Sequence, residues 1–143
     1  MNVRTARPED VPFVLQMMRE ESNAVGFVPR ARMAWEVQRG RVLLAHAGRM
    51  KLGYAYVGSP ASGVLPIYQT VTEAGVRRTE IGLAMVRHAG VIAAAAGAWG
   101  LECGCRDELA ANAFWRAAGF EVRETRGGGS GRGRNVNIYY RRF

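Results

Sequence analysis

Between residues 41 and 106 the hydrophobic period changes twice, and this restricts the folds open to the chain more than any other feature. Residues 41–47, 50–58 and 65–72 alternate in the manner of strands, and Gly48-Arg49 between the first two suits a tight hairpin. The three segments read as an antiparallel meander. Over residues 80–96 the pattern is helical, with Ile81, Met85, Ala89, Ile92 and Ala96 on one side and Arg87 on the other. Residues 100–106 then return to a strand.

The flanks extend this order. Residues 2–6 suit a short strand, and Pro8-Glu9-Asp10 opens a helix with proline and acids in its first turn. That helix places Val11, Val14, Leu15 and Met18 on one face. A second short helix is expected over 30–38, carrying Met33, Trp35 and Val37, with Gly40 as its stop. After residue 106, Asp107 can cap a helix over 109–118 that ends at Gly119, where a left-handed residue is most often needed. Residues 120–125 and 136–143 alternate like two last strands, joined by the Gly-rich segment 126–134. The prediction is an α/β chain with a mixed, mostly antiparallel sheet of about seven strands, flanked by about four helices. No repeat interrupts residues 1–143, a length that suits one domain and one core.

With 48% apolar and 22% charged residues the chain falls outside the weakly hydrophobic class that stays disordered. Its longest apolar run, 91–101, is far shorter than the roughly 20 residues of a membrane span, so no membrane partner is expected. The first residues, Met1-Asn2-Val3-Arg4, lack the basic-then-apolar block of a secretory leader, which points to the cytoplasm. Cys103 and Cys105 would share one face of a strand, poorly placed to bridge each other, and read as free buried thiols. With only His46 and His88 as imidazoles and no second cysteine pair, no metal site is expected. His46, Tyr68 and Asp107 are the minority alternative, and His46 reads more simply as a structural histidine. The net charge of +8, carried by arginine with the single exception of Lys51, favours anionic partners. Codon bias toward arginine gives the same composition, so charge alone does not choose between a nucleotide cofactor and nucleic acid.

The element order resembles that of the GNAT (GCN5-related N-acetyltransferase) superfamily, and two segments carry the resemblance. Val76-Arg77-Arg78-Thr79-Glu80-Ile81-Gly82-Leu83 is similar to the family's pyrophosphate loop, Arg/Gln-x-x-Gly-x-Gly/Ala, at the start of its long helix. Arg77 and Gly82 match, whereas Glu80 stands at a glycine position. Asn112-Ala113-Phe114-Trp115-Arg116-Ala117-Ala118-Gly119-Phe120 is similar to the family's late helix and Gly-Phe turn, with Trp115 at the usual tyrosine position.

This resemblance implies an acyltransferase that moves an acyl group from acetyl-CoA, or another acyl-CoA, to an amine by direct attack on the thioester. It assigns the pyrophosphate to helix-start amides from residues 78–83, hence Arg78, Thr79, Ile81, Gly82 and Leu83, with Arg77 beside them. Asn112 would meet the amides of the pantetheine arm, with Trp115 along that arm or in the core. Residues 67–72 would carry the chemistry, with Tyr68 and Gln69 where relatives hold a catalytic glutamate and oxyanion-binding amides near Val71. Gln69 cannot serve as a base and an indole cannot protonate a thiolate, so those roles are open. A base acting through water, Asp107, or an acceptor that arrives deprotonated could fill the first, and Tyr139 or Tyr140 the second.

The Arg-Gly segment 126–134 reads as a hairpin loop or as a strip that could track phosphates. With the basic charge, the latter gives a weaker resemblance to phage Mom-type DNA-modifying members and to GNAT toxins that acylate aminoacyl-tRNA. A nucleic-acid acceptor and a GNAT-shaped binding protein without activity therefore stand beside the small-amine reading. Homodimers are common in the family.

Overall fold

A computed structural model describes residues 1–60, 62–75, 78–127 and 135–143. The elements are β1 (Asn2–Thr5), α1 (Val11–Glu20), α2 (Ser22–Val25), α3 (Arg30–Gln38), β2 (Val42–Ala47), β3 (Met50–Val57), β4 (Val64–Thr72), α4 (Arg78–Ala95), β5 (Gly100–Arg106), α5 (Ala111–Ala117), β6 (Glu121–Gly127) and β7 (Asn135–Arg142). The strands form one seven-stranded sheet in the order β1-β2-β3-β4-β5-β7-β6. Every neighbouring pair is antiparallel except β4 and β5, which the long α4 connects in parallel. The expected α/β class with a mixed, mostly antiparallel sheet is thus observed, with five helices where about four were expected.

The extra helix is α2, a single turn without a buried residue, closed by Gly26. It has no apolar stripe to announce it, and its anchors lie far along the chain. A second difference concerns Asp107. The last helix starts at Ala111 with Ala110 in the cap position and no side-chain cap, while the Asp107 amide donates to the Asn135 carbonyl at 2.9 Å. Residue 107 is therefore held by β7's first residue instead of capping a helix. Gly119 does take the expected left-handed conformation after α5, at φ 89°.

Both faces of the sheet are covered. Leu43 and Ala45 of β2 join α4 residues Ile81, Met85 and Ala89 in one buried cluster, while Val42 and Leu44 join α1 and α3 through Val14, Met18, Met33 and Val37 in another. Alternating side chains to two covered faces explains why the first four residues of β2 are all buried. The fully buried Asp10 fastens the start of α1 to the sheet: its carboxylate accepts from Arg4 at 2.7 Å and the Arg7 amide at 2.8 Å, with Lys51 at 2.8 Å. Burial alone would raise its pKa, but these donors outweigh it and hold the carboxyl well below the usual carboxylate range. The two cysteines are free, both buried on one side of β5, and burial pushes both thiols up. No helix among the described residues is long and apolar enough to cross a membrane.

Candidate active site

The site originates in a split of the sheet. β4 and β5 pair only from Val64↔Gly100 to Ile67↔Cys103. Beyond that point β4 continues to Thr72 and β5 to Arg106 without pairing to each other. The divergence begins beside Tyr68, the extra residue of a bulge in β4, since Tyr56 pairs with Gln69 but Val57 with Ile67. A cavity of about 970 Å³ fills the gap between the two strands. Its walls are β4 from Ile67 to Thr72, β5 from Cys103 to Arg106, the first turns of α4, much of α5, and α2 with its flanks.

On the far side of β4 the Glu73 amide donates to the Leu52 carbonyl at 2.8 Å, and the register runs on through Val71↔Tyr54. Antiparallel ladders alternate, so Val71 turns its backbone groups to β3 while Thr70 and Thr72 turn theirs toward the gap. The amides placed near Val71 from sequence are thus its two neighbours'. The Val71 side chain lies in the core under α1 and α3. Thr70 adds a second feature, for its Oγ1 is buried at the cavity wall with no hydrogen-bond partner. A buried hydroxyl left without a partner costs about 1–3 kcal/mol, and since this oxygen is closed to the cavity as well as to solvent, it is the Thr70 backbone that faces the gap.

The start of α4 closes one end of the cavity. α4 is described from Arg78, whose amide meets the Gly75 carbonyl at 3.2 Å, and the first amides of any helix have no carbonyl of their own helix four residues back. Gly82 and Leu83 lie further in, where each N–H bonds to the carbonyl four residues before it, and the Ile81 side chain is fully buried. Within the 78–83 span expected from sequence, the Gly82 and Leu83 amides are therefore engaged inside the helix. Gly82 has a packing role instead: a Cβ there would lie 2.8 Å from Phe114 Cε1 and 2.9 Å from Cζ. Leu83 packs against the core. Arg78 is exposed and lies 3.7 Å from the Glu21 carboxylate on the opposite wall. Arg77 falls outside the described residues.

Gln69 and Arg106 hold α2 over the cleft. Gln69 is buried, accepts from the Tyr54 hydroxyl at 3.0 Å and donates to the Val25 carbonyl at 3.1 Å. From β5, Arg106 donates to the Asn23 carbonyl. Both ends of the Gln69 amide are engaged, so it ties α2 to β4 and is not available to a substrate. Tyr68 on the bulge is exposed and lines the cavity.

Three further sequence assignments change. Asn112 does not reach the cavity: its Nδ2 donates to the carbonyls of Arg106 at 2.8 Å and Leu109 at 2.7 Å, and its Oδ1 accepts from Tyr139 at 2.7 Å and Asn137 at 3.1 Å. It is the hub that joins α5 to β5 and β7. Tyr139 is fully buried with its hydroxyl donating to that hub, and burial raises its pKa, so it is not placed as a thiolate acid. Tyr140 faces the other side, stacked on Trp99 at 6.1 Å. Asp107 is exposed and off the cavity wall. Trp115 packs edge-on between Phe114 at 5.0 Å and Phe120 at 5.1 Å, buried in the core with its edge at the cavity. His46 Nδ1 lies 3.0 Å from the Gly48 carbonyl at the β2–β3 turn. Among the described residues no cluster of three His, Cys, Asp or Glu side chains is placed to hold a metal ion. Of the segment 126–134, only Arg126 and Gly127 are described.

Sequence reasoning missed Thr70, Thr72, Glu21 and Arg106. The split of the sheet creates the roles of the first two, and contacts with α2 or α4 create those of the others.

No protein-family model matches the sequence. No curated protein matches it either. Solved structures do resemble it over its whole length. A ribosomal-protein-alanine N-acetyltransferase from Brucella melitensis superposes with a TM-score of 0.78 at 23% identity, covering 100% of both chains. The acetyltransferase yncA from Salmonella typhimurium, solved with its cofactor acetyl-CoA, gives 0.81 at 15% identity over 99% of this chain and 93% of that one. A protein of Desulfovibrio desulfuricans described as an acetyltransferase of the GNAT family gives 0.79 at 18% identity, covering 98% and 97%. Agreement of this extent at such low identity, together with the split between β4 and β5, shows that the chain has the GNAT fold.

Proposed function

We propose that this chain is an acyl-CoA-dependent N-acyltransferase, most simply an acetyltransferase, that holds its donor in the cleft between β4 and β5. The observation that carries the reading is the unpaired edge of β4, with the outward amides of Thr70 and Thr72 facing a cavity that ends at the start of α4. The fit to coenzyme A is physical. An extended arm of amides finds unpaired strand edges along the cleft, and a diphosphate finds the start of α4 beside the Arg78 guanidinium. The cavity volume suits the arm of a cofactor with its remainder in solvent.

The donor supplies an activated carbonyl, and the protein orients an amine against it. The outward Thr70 and Thr72 amides suit the stabilisation of negative charge developing on the thioester oxygen. No described carboxylate lines the cavity except Glu21, which faces Arg78, so proton removal falls to water or to an acceptor that arrives neutral. The Tyr68 hydroxyl lies against Gly58, away from the gap, so protonation of the departing thiolate also falls to water. Calorimetric titration of acetyl-CoA into the wild-type chain and Arg78→Gln tests the reading. Micromolar binding weakened several-fold by the substitution supports it, and no binding by the folded wild type overturns it.

A further inference from the structure

A second cavity, of about 490 Å³, lies on the other side of Tyr68, lined by Arg32, Glu36, Arg39, Arg41, Tyr56 and Ser59. Tyr68 lines both cavities, so the two adjoin across its ring, which packs 5.1 Å from that of Tyr56.

The chemistry of this cavity is one-sided. Glu36 is its only carboxylate, 3% exposed, and accepts from Arg39 at 2.9 Å and from the Tyr56 hydroxyl, with Arg32 at 3.6 Å. One negative charge thus faces three guanidinium groups, an excess of two positive charges around a small concave space. The geometry is also fixed in advance. Arg32 and Arg39 sit over the Trp35 ring at 4.9 and 4.2 Å, so the indole spaces them apart. Arg41 is held through its backbone, whose amide donates to the Glu36 main-chain carbonyl at 3.0 Å and whose carbonyl accepts from the Val57 amide at 2.9 Å, while its side chain reaches Ser59. Like charges held together repel, and rigid guanidinium forks match the paired oxygens of a carboxylate or phosphate.

We propose that this cavity is the acceptor's specificity subsite, and that the substrate is a small amine carrying a carboxylate or phosphate. The anion sits among Arg32, Arg39 and Arg41, and the amine reaches past Tyr68 to the thioester in the neighbouring cleft. The inference rests on the acyltransferase reading for the role of the amine, but the anion site stands on its own geometry.

Two measurements separate the two claims. In the first, glutarate and inorganic phosphate are titrated calorimetrically into the protein saturated with coenzyme A, or into the free protein if coenzyme A does not bind, with Arg41→Gln and Arg32→Gln alongside. Saturable binding of either anion, weakened at least about tenfold in a variant that keeps the wild-type melting temperature, supports the subsite, and glutarate against phosphate tells the two anions apart. No binding of either, or binding unchanged in both variants, overturns it, as does binding only of a single-stranded oligonucleotide. In the second, thiol release from acetyl-CoA is followed with γ-aminobutyrate against n-butylamine and O-phosphoethanolamine against ethanolamine. The subsite predicts at least about a tenfold higher kcat/KM for one anionic member over its neutral counterpart, reduced toward parity in Arg41→Gln mainly through KM. Equal rates within both pairs would contradict the specificity role. Anion binding without turnover of any amine would leave the subsite standing and count against the acyltransferase reading.

Discussion

Replacing Thr70 by valine removes a single hydroxyl and should raise stability while leaving activity nearly unchanged. Oγ1 is buried without a partner and closed to the cavity. A hydroxyl in that state costs about 1–3 kcal/mol, and valine fills nearly the same volume without a polar group. The variant should therefore be more stable by about 1 kcal/mol, equivalent to a rise in Tm of about 3 °C for a domain of this size. The group that faces the gap is the Thr70 amide, which valine keeps. Removing an oxyanion donor would lower kcat by about 10²-fold, whereas here kcat and acetyl-CoA affinity should stay within about twofold of wild type. Thermal unfolding followed by circular dichroism and steady-state thiol release read the two quantities from one preparation. A destabilised variant, or a stabilised one whose kcat falls about tenfold or more, would refute the reasoning.

Other substitutions probe the frame of the site. Asn112→Ala leaves the buried Tyr139 hydroxyl and the buried Asn137 amide without their acceptor, and should cost about 3 kcal/mol in urea unfolding. Gly82→Ala drives a methyl group against the Phe114 ring, so a loss of about 1–2 kcal/mol is expected, relieved when Phe114→Leu is added in a double-mutant cycle. Asp10 is stabilised in its charged form, so its contribution is complete above its unfolded pKa near 3.8 and is lost as pH falls toward the depressed native value. Unfolding between pH 7 and pH 2.5 should show this acid loss in the wild type. In Asp10→Asn the loss should be smaller, on a background already weakened by about 3 kcal/mol.

The fold was legible where a local pattern decides the outcome. The 3.6-residue period marks α3 and α4 to within two residues, and period-2 runs mark β2, β3 and β5 to within one. A single turn such as α2 leaves no periodic trace, because the contacts that hold it come from Gln69, 44 residues from Val25, and from Arg106, 83 residues from Asn23. The site was less legible for the same reason. Strand alternation shows that Tyr139 and Tyr140 face opposite ways, but only packing shows that Tyr139 turns to Asn112 and that both are then structural. A motif resemblance supplies a position without a direction, which is why Asn112 was assigned to the cofactor. Thr70 is an unremarkable strand threonine in the sequence, and only the divergence of β4 from β5 leaves its outward amide without a strand partner.

The central claim is that a thioester donor enters the gap between β4 and β5 with its phosphates at the start of α4. Amide chemical-shift mapping during an acetyl-CoA titration tests it most directly. The largest perturbations should fall on Thr70, Thr72, Arg78 and Thr79, with small changes along β6. Saturating binding that leaves these four amides unmoved would contradict the account.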